Sequence, residues 1–68
     1  MTTKEIFDSI ISVKKHKTHN ERIKAFIRKC KTEHIHYAII VSEVSSLFHV
    51  SEVWVKDFYY REGLHKED

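Results

Sequence analysis

The sequence predicts an all-α domain of four short helices, and three observations lead to this prediction. The 68-residue chain contains no proline and a single glycine, so it has few residues that break helices. Charged residues, 32% of the chain, alternate with apolar residues that recur at steps of three and four, as on amphipathic helices. A chain of this length has room for one domain with a small core, which we place over residues 1–68.

The first two helices are each predicted from a threonine that can cap a helix. Thr2 lies three residues before Glu5, the spacing of a reciprocal capping box, and helical periodicity follows it. We therefore predict the first helix at about residues 3–16. The same spacing recurs at Thr18, ahead of a second apolar stripe, and predicts the second helix at about residues 20–31.

The third and fourth helices are separated by a single interruption. The apolar stretch after residue 33 has the composition of a short buried strand, but its apolar residues continue at steps of three and four, so we predict a helix. His49 interrupts the pattern, and Ser51 is a good cap for the last helix. Gly63 ends that helix through a left-handed cap, leaving residues 64–68 as a frayed polar tail with Leu64 folded back.

These two helices are predicted to form a C-terminal helix-turn-helix over about residues 36–62. Such a unit needs a small residue in its first helix and apolar residues at fixed positions facing a shared core. The positions are filled by Val44, Ser45, Phe48, Val50, Val55 and Phe58. Two amphipathic helices of any small bundle would match some of these positions by chance, and that alternative stays open.

The segment VSSLFHVSEVWVKDFYYREG, residues 44–63, resembles the helix-turn-helix segment of the phage-repressor family. ERIKAFIRK, residues 21–29, is loosely similar to the first helix of that family. The chain departs from the pattern at His49, where the family usually has a glycine, although histidine is enriched among left-handed residues other than glycine. The resemblance implies a helix-turn-helix fold and places the base-reading positions at Glu52, Val53, Trp54, Lys56 and Asp57.

The charges of this segment do not suit DNA. Residues 1–34 carry nine Lys/Arg and four Asp/Glu, a net charge of +5, whereas residues 35–68 carry three and six, a net charge of −3. DNA-binding proteins neutralise phosphates with Lys and Arg and read bases with Arg, Lys, Asn and Gln. The predicted reading face offers only Lys56 as a cation, and Glu52 and Asp57 would repel phosphates.

Trp54 is predicted to stand on the outward surface beside Val53, because Val55 and Phe58 already form the inward stripe. Exposed tryptophans commonly anchor protein interfaces. In the alternative, the helix is rotated by one position and Trp54 packs inward with Phe58. An acidic and apolar surface on this frame predicts binding to a basic DNA-reading protein rather than to DNA.

Here the chain resembles the small antirepressors of temperate phages, of the modulator-of-repression kind, which occupy the DNA-binding face of a repressor. That resemblance implies a transcriptional regulator of a phage lysogeny switch whose partner is a basic helix-turn-helix repressor. The predicted partner-binding residues are Ser51, Glu52, Val53, Trp54, Lys56 and Asp57. One alternative is a dimer that reads an operator directly through Ser51, Trp54 and Lys56, and another is a protein-interaction module without a transcriptional role.

The basic half offers candidate phosphate contacts, which would allow a ternary complex with DNA. These residues are Lys14, Lys15, Lys17, Arg28, Lys29 and Lys31. A solvated helix face is the alternative explanation of such a run.

No metal, cofactor or enzymatic activity is predicted. Cys30, His34 and His36 have a spacing that suggests zinc, but His16 and His19 supply only a loose second pair of ligands and there is no second cysteine. One glycine excludes a glycine-rich phosphate loop, and four short helices leave little room for a catalytic pocket.

We expect a cytoplasmic location, in the host cell if a phage encodes the chain. One cysteine forms no internal disulfide, which suits a reducing compartment. The longest apolar run, residues 37–41, is far shorter than the ~20 residues of a membrane span, and the N-terminus does not have the pattern of a secretory signal. The sequence leaves the oligomeric state open.

Overall fold

The computed structural model describes residues 2–13 and 17–66, and it confirms that the fold is all-α. Over these ranges the chain forms α1 (Thr3–Ser12), α2 (His19–Thr32), α3 (Tyr37–Phe48) and α4 (Glu52–Arg61), followed by a 3-10 helix (Leu64–Lys66), and it forms no strand. No single helix in these ranges is long and apolar enough to cross a membrane. By length and composition alone, only α3 and α4 taken together could do so, and the chain bends by 115° between them.

The beginning of α1 is held by the predicted capping box. The Thr2 hydroxyl accepts a hydrogen bond from the Glu5 backbone N–H at 3.2 Å, and the Glu5 carboxylate accepts one from the Thr2 N–H at 3.3 Å. The Thr2 N–H and the Thr2 hydroxyl both donate to this carboxylate and hold the pKa of Glu5 below its usual value, the N–H more strongly. The helix ends at Ser12, short of the predicted residue 16, because Val13 takes an extended conformation. Residues 14–16 lie outside the described ranges.

In α2 the cap is similar but shifted by one residue. Thr18 caps the helix by accepting from the Glu21 N–H at 3.1 Å. The Glu21 carboxylate accepts from the N–H of Lys17, at 3.0 Å, rather than from that of Thr18. The helix covers the predicted span of residues 20–31 and extends it by one residue at each end.

The connection between α3 and α4 consists of three residues, His49 to Ser51. His49 adopts the left-handed conformation, with φ 58° and ψ 47°, at the position where the family that the segment resembles usually has glycine. Ser51 caps α4, since its hydroxyl accepts from the Trp54 N–H at 3.1 Å. The 115° turn of the chain is thus made by one left-handed residue followed by a new helix cap.

Ser45 and Val50 form a reciprocal pair across this connection. The Val50 N–H donates to the Ser45 carbonyl at 3.2 Å, and the Ser45 hydroxyl donates to the Val50 carbonyl at 2.6 Å. Both backbone polar groups of Val50 are therefore satisfied at a point where the helix no longer pairs them. The small residue that the sequence places here thus also holds the turn.

One apolar core joins all four helices and the 3-10 helix. It consists of Ile6, Ile10, Ile23, Phe26, Ile27, Cys30, Ile40, Val41, Val44, Phe48, Val55, Phe58 and Leu64. Phe48 packs edge-on against Phe7 and Phe26, with ring centroids 5.1 and 5.6 Å apart, so the end of α3 is fixed against α1 and α2. Of the six predicted helix-turn-helix core positions, four are buried, and Ser45 and Val50 are half-buried.

Residues 64–66, which were predicted to begin a polar tail, form a 3-10 helix, and residues 67–68 lie outside the described ranges. Gly63 takes φ 73°, and Leu64 turns back until its side chain is fully buried, as part of the 3-10 helix. The Lys31 ammonium group donates to the Leu64 carbonyl, and Lys24 forms an ion pair with Glu62 at 2.8 Å. One side of α2 therefore holds the end of α4 in place.

Candidate protein-binding surface on α4

The surface that α4 turns away from the core carries two exposed apolar side chains on either side of an aspartate. Val55 and Phe58 face inward, so helical periodicity puts Val53, Asp57 and Tyr60 on the opposite side, at i, i+4 and i+7. We call this side, with its flanking residues, the outer face of α4. Val53 is 78% exposed and Tyr60 56% exposed, which makes them two of the most exposed large apolar side chains of residues 2–13 and 17–66.

Trp54 lies at one edge of the outer face and is half-buried. Its indole ring stacks on the Phe58 ring, with centroids 5.0 Å apart and planes 17° from parallel. The residue was predicted to be fully outward, with inward packing as the alternative, and the structure combines parts of both. One side of the ring continues the core while the remainder is accessible to a partner.

The charges of the outer face balance one another. Asp57 forms an ion pair with Arg61 at 3.3 Å, and both side chains are more than half exposed. Glu52 and Lys56, at the other edge, are exposed and opposite in sign. The face is therefore less acidic than the net charge of −3 in this half of the chain suggests.

A further acid of this half is neutralised away from the outer face. The hydrogen bond and charge of Lys24 hold the pKa of Glu62 below its usual value. Glu52, the first residue of α4, also interacts favourably with the positive end of the helix dipole. The local charge of α4 is thus set by its neighbours on α2 as well as by its own residues.

Tyr60 is a candidate contact residue to which the sequence assigned no role. It lies at the exposed end of a cluster of aromatic rings. The ring centroids are 4.9 Å apart for Tyr37 and Tyr59, 5.6 Å for Tyr59 and Tyr60, and 4.8 Å for Tyr60 and His65. Burial raises the pKa of Tyr37 and of Tyr59 above the usual value. The signal that would have found Tyr60 is its spacing of seven residues from Val53, because both then lie on the same side of the helix.

The structure describes four of the six predicted phosphate contacts. Lys17, Arg28 and Lys29 are exposed, and Lys14 and Lys15 lie outside those ranges. Lys31 is half-buried, and its ammonium group binds the Leu64 carbonyl and lies 5.7 Å from the centre of the Tyr59 ring. These contacts hold the 3-10 helix against α2, and the phosphate contact of Lys31 stays a prediction.

Cys30 is fully buried, and burial raises its pKa to about 11. A thiol in such a site stays protonated at neutral pH and is a poor nucleophile and metal ligand. Across residues 2–13 and 17–66, no three His, Cys, Asp or Glu side chains come together in a group that could hold a metal ion.

No protein-family model, curated protein or solved structure matches this chain. The resemblance to phage repressors accordingly depends on residues 21–29 and 44–63 alone.

Proposed function

We propose that this chain is a helix-turn-helix protein that regulates transcription by binding a basic repressor protein, as an antirepressor in a phage-type genetic switch. The observation that supports this proposal best is the pair of exposed apolar side chains on the outer face of α4. Val53 and Tyr60 project from the helix that would enter the major groove, where a DNA reader would need polar and cationic side chains.

The geometry of α3 and α4 favours the helix-turn-helix architecture. Helix-turn-helix units cross at about 90–120° through a turn of three to four residues, often containing glycine. Here the chain bends by 115° over three residues, and His49 takes the left-handed conformation. The hydrogen bonds between Ser45 and Val50 add a specific reason for this turn to be rigid.

Protein binding accounts for the outer face better than DNA binding does. Phosphate contacts supply most of the affinity of DNA readers, and of the two cations on this face Arg61 is paired with Asp57. Lys56 is the other. Exposed apolar side chains next to charges of both signs are, by contrast, common in protein interfaces.

A repressor is the partner class that fits these charges. Glu52 is exposed and can accept hydrogen bonds from the Arg and Lys side chains with which a repressor reads DNA, and Asp57 can do so where its pair with Arg61 opens. Val53 and the accessible part of Trp54 would anchor the contact. Lys17 and Lys29, on the basic half, could reach DNA phosphates in a ternary complex. The proposed site of action is the cytoplasm of the host cell.

Direct operator reading is the second candidate, and it would use Ser51, Trp54 and Lys56. It is less well supported, because the Ser51 hydroxyl already caps α4 and Trp54 is stacked on Phe58. An interaction module without a transcriptional role is the third candidate.

The test is a capture experiment followed by a gel shift. Immobilised wild-type chain and the Val53→Asp and Trp54→Ala variants are exposed to a lysate of the source cell, with Ser46→Asp, an exposed α3 position, as the matched control. We expect wild type and control to retain a basic DNA-binding protein that both α4 variants lose. Wild type should then alter that protein's shift of its operator while shifting no DNA alone.

Equal retention by all four chains would contradict the proposed surface. A captured protein without DNA-binding activity would contradict the proposed class of partner. A specific gel shift by the chain alone would favour the second candidate function.

A further inference from the structure

An apolar groove opens on the side of the molecule where α1, the start of α2 and the end of α3 meet. It has a volume of about 240 Å³, and Phe7, Ile11, Leu47 and Phe48 supply its apolar walls. Ile11 is 44% exposed, whereas its neighbour along the chain Ile10 is buried. The groove therefore leaves accessible an apolar side chain that the core does not use.

Arg22 gives the groove a specific chemical requirement. Its side chain lines the groove, and its Nε is buried without a hydrogen-bond acceptor in the described part of the chain. Because that nitrogen has almost no accessible surface, a group entering the groove meets the accessible remainder of this half-buried side chain, whose guanidinium carries a positive charge and only donors. A carboxylate is the best acceptor for this group, since it binds guanidinium through charge-assisted hydrogen bonds.

The size of the groove favours a side chain of a protein over a small-molecule ligand. Pockets for small molecules usually measure about 300–1,000 Å³ and enclose most of the ligand. This groove is smaller and opens on the surface. It suits one apolar side chain with an acidic residue next to it.

The chain itself presents this combination on the outer face of α4. Val53 is the most exposed of its large apolar side chains in the described ranges, and Glu52 next to it is exposed. His49 lines the groove and precedes Val53 by four residues, so the Cα atoms of these two residues are at most about 14 Å apart. Features so close on one molecule can pair reciprocally with those of a second copy about a two-fold axis.

We propose that two copies of this chain form a two-fold dimer in which Val53 of each enters the groove of the other and Glu52 pairs with Arg22 there. His19 and His49 line the same groove and would border the contact. The dimer is independent of the proposed function, but it would cover part of the surface assigned to the repressor. Self-association and repressor binding would then compete.

Sedimentation equilibrium of the full chain tests this dimer without any partner. We expect wild type to dimerise with a Kd below about 1 mM, as suits a small contact. Glu52→Arg and Arg22→Glu should each weaken the dimer at least ~10-fold, because each places like charges at both copies of the contact. Val53→Asp, at an exposed position with no role in the core, should weaken it similarly. Lys66→Glu, an exposed charge reversal on the 3-10 helix, is the control.

Mixing Arg22→Glu with Glu52→Arg tests the proposed pairing of these two residues most directly. In a mixed dimer, the glutamate at position 22 of one chain meets the arginine at position 52 of the other, so the charges are opposite again. The second contact joins Glu52 of the first chain to Arg22 of the second, as in the wild type. We therefore expect the mixture to dimerise with nearly wild-type affinity although neither variant does so alone. Circular dichroism melts show whether each variant is folded.

A wild-type chain that stays monomeric at about 1 mM would overturn the proposal. So would folded charge variants that remain monomeric when mixed. Loss of a captured partner in Arg22→Glu, with a monomeric wild type, would assign the groove to another protein instead.

Discussion

His49 is the residue on which the direction of α4 depends. It holds φ 58° without being glycine, and a left-handed conformation costs an ordinary residue about 1–2 kcal/mol. Its backbone N–H donates to the Ser45 carbonyl, a bond that any residue other than proline can make. The strain is thus specific to the side chain that stands at this position.

Replacing His49 with glycine should therefore stabilise the fold. We expect His49→Gly to raise the free energy of unfolding by about 0.5–1 kcal/mol and the β-branched His49→Val to lower it. Gly63→Ala is the complementary control, because Gly63 has φ 73° in open space and should lose about 1 kcal/mol through strain alone. Urea denaturation measures all three, and a loss of stability in His49→Gly would contradict this explanation of the turn.

Ser45 contributes to the turn through a single hydroxyl. In Ser45→Ala the Val50 carbonyl loses its 2.6 Å donor in a half-buried position, so we expect a loss of about 1–2 kcal/mol. Ser46→Ala, at an exposed neighbouring position, should change stability by less than about 0.5 kcal/mol. Equal values for the two variants in the same denaturation experiment would show that this hydrogen bond contributes nothing.

Burial of Cys30 makes the free energy of unfolding depend on pH in the alkaline range. Burial raises its pKa from 9.0 to about 11, so folding favours the neutral thiol. The contribution of this group to stability is complete below pH 9 and is lost as the pH rises towards 11. We expect the stability of wild type relative to Cys30→Ala to be constant from pH 7 to 9 and to fall above that range. A constant difference up to pH 11 would contradict the assigned burial.

At the level of elements, local sequence signals predicted the helices that have caps and missed what depends on tertiary contacts. Ser51 and Thr18 lie next to the helices they cap, so α4 and α2 could be placed from the sequence. The end of α1 at Ser12 has no glycine or proline to indicate it. The half-burial of Trp54 depends on how α4 is rotated against Phe58, which adjacent apolar residues at 53–55 leave ambiguous.

The C-terminal 3-10 helix is the clearest case of an element that depends on tertiary contacts. Its residues are mostly polar, yet Leu64 fills a fully buried site and α2 binds its carbonyl through Lys31. We expect Leu64→Ala to lower the free energy of unfolding by about 2–4 kcal/mol, as for other buried leucines. Lys66→Ala, at an exposed position on the same element, should be nearly neutral. A loss below about 0.5 kcal/mol in Leu64→Ala would mean that the segment is indeed a tail.

At the scale of the whole molecule, the separation of charge between the two halves is reduced where they meet. Lys24 of α2 forms an ion pair with Glu62 across the boundary between the halves, and within the second half Arg61 pairs with Asp57. Counting charges along the sequence therefore gave the sign of each half but overstated how acidic the surface of α4 is. The apolar residues of the outer face therefore favour protein binding more strongly than its carboxylates do.

The central claim is that α4 presents a surface for a protein and not for DNA. The most direct measurement exposes the isolated chain to a pool of random duplexes, followed by fluorescence anisotropy of any enriched duplex at increasing salt. We expect no sequence to be enriched, and only weak binding that disappears by about 0.2 M salt, since few phosphates are contacted. Enrichment of one sequence that wild type binds tightly and Lys56→Ala releases would contradict the claim.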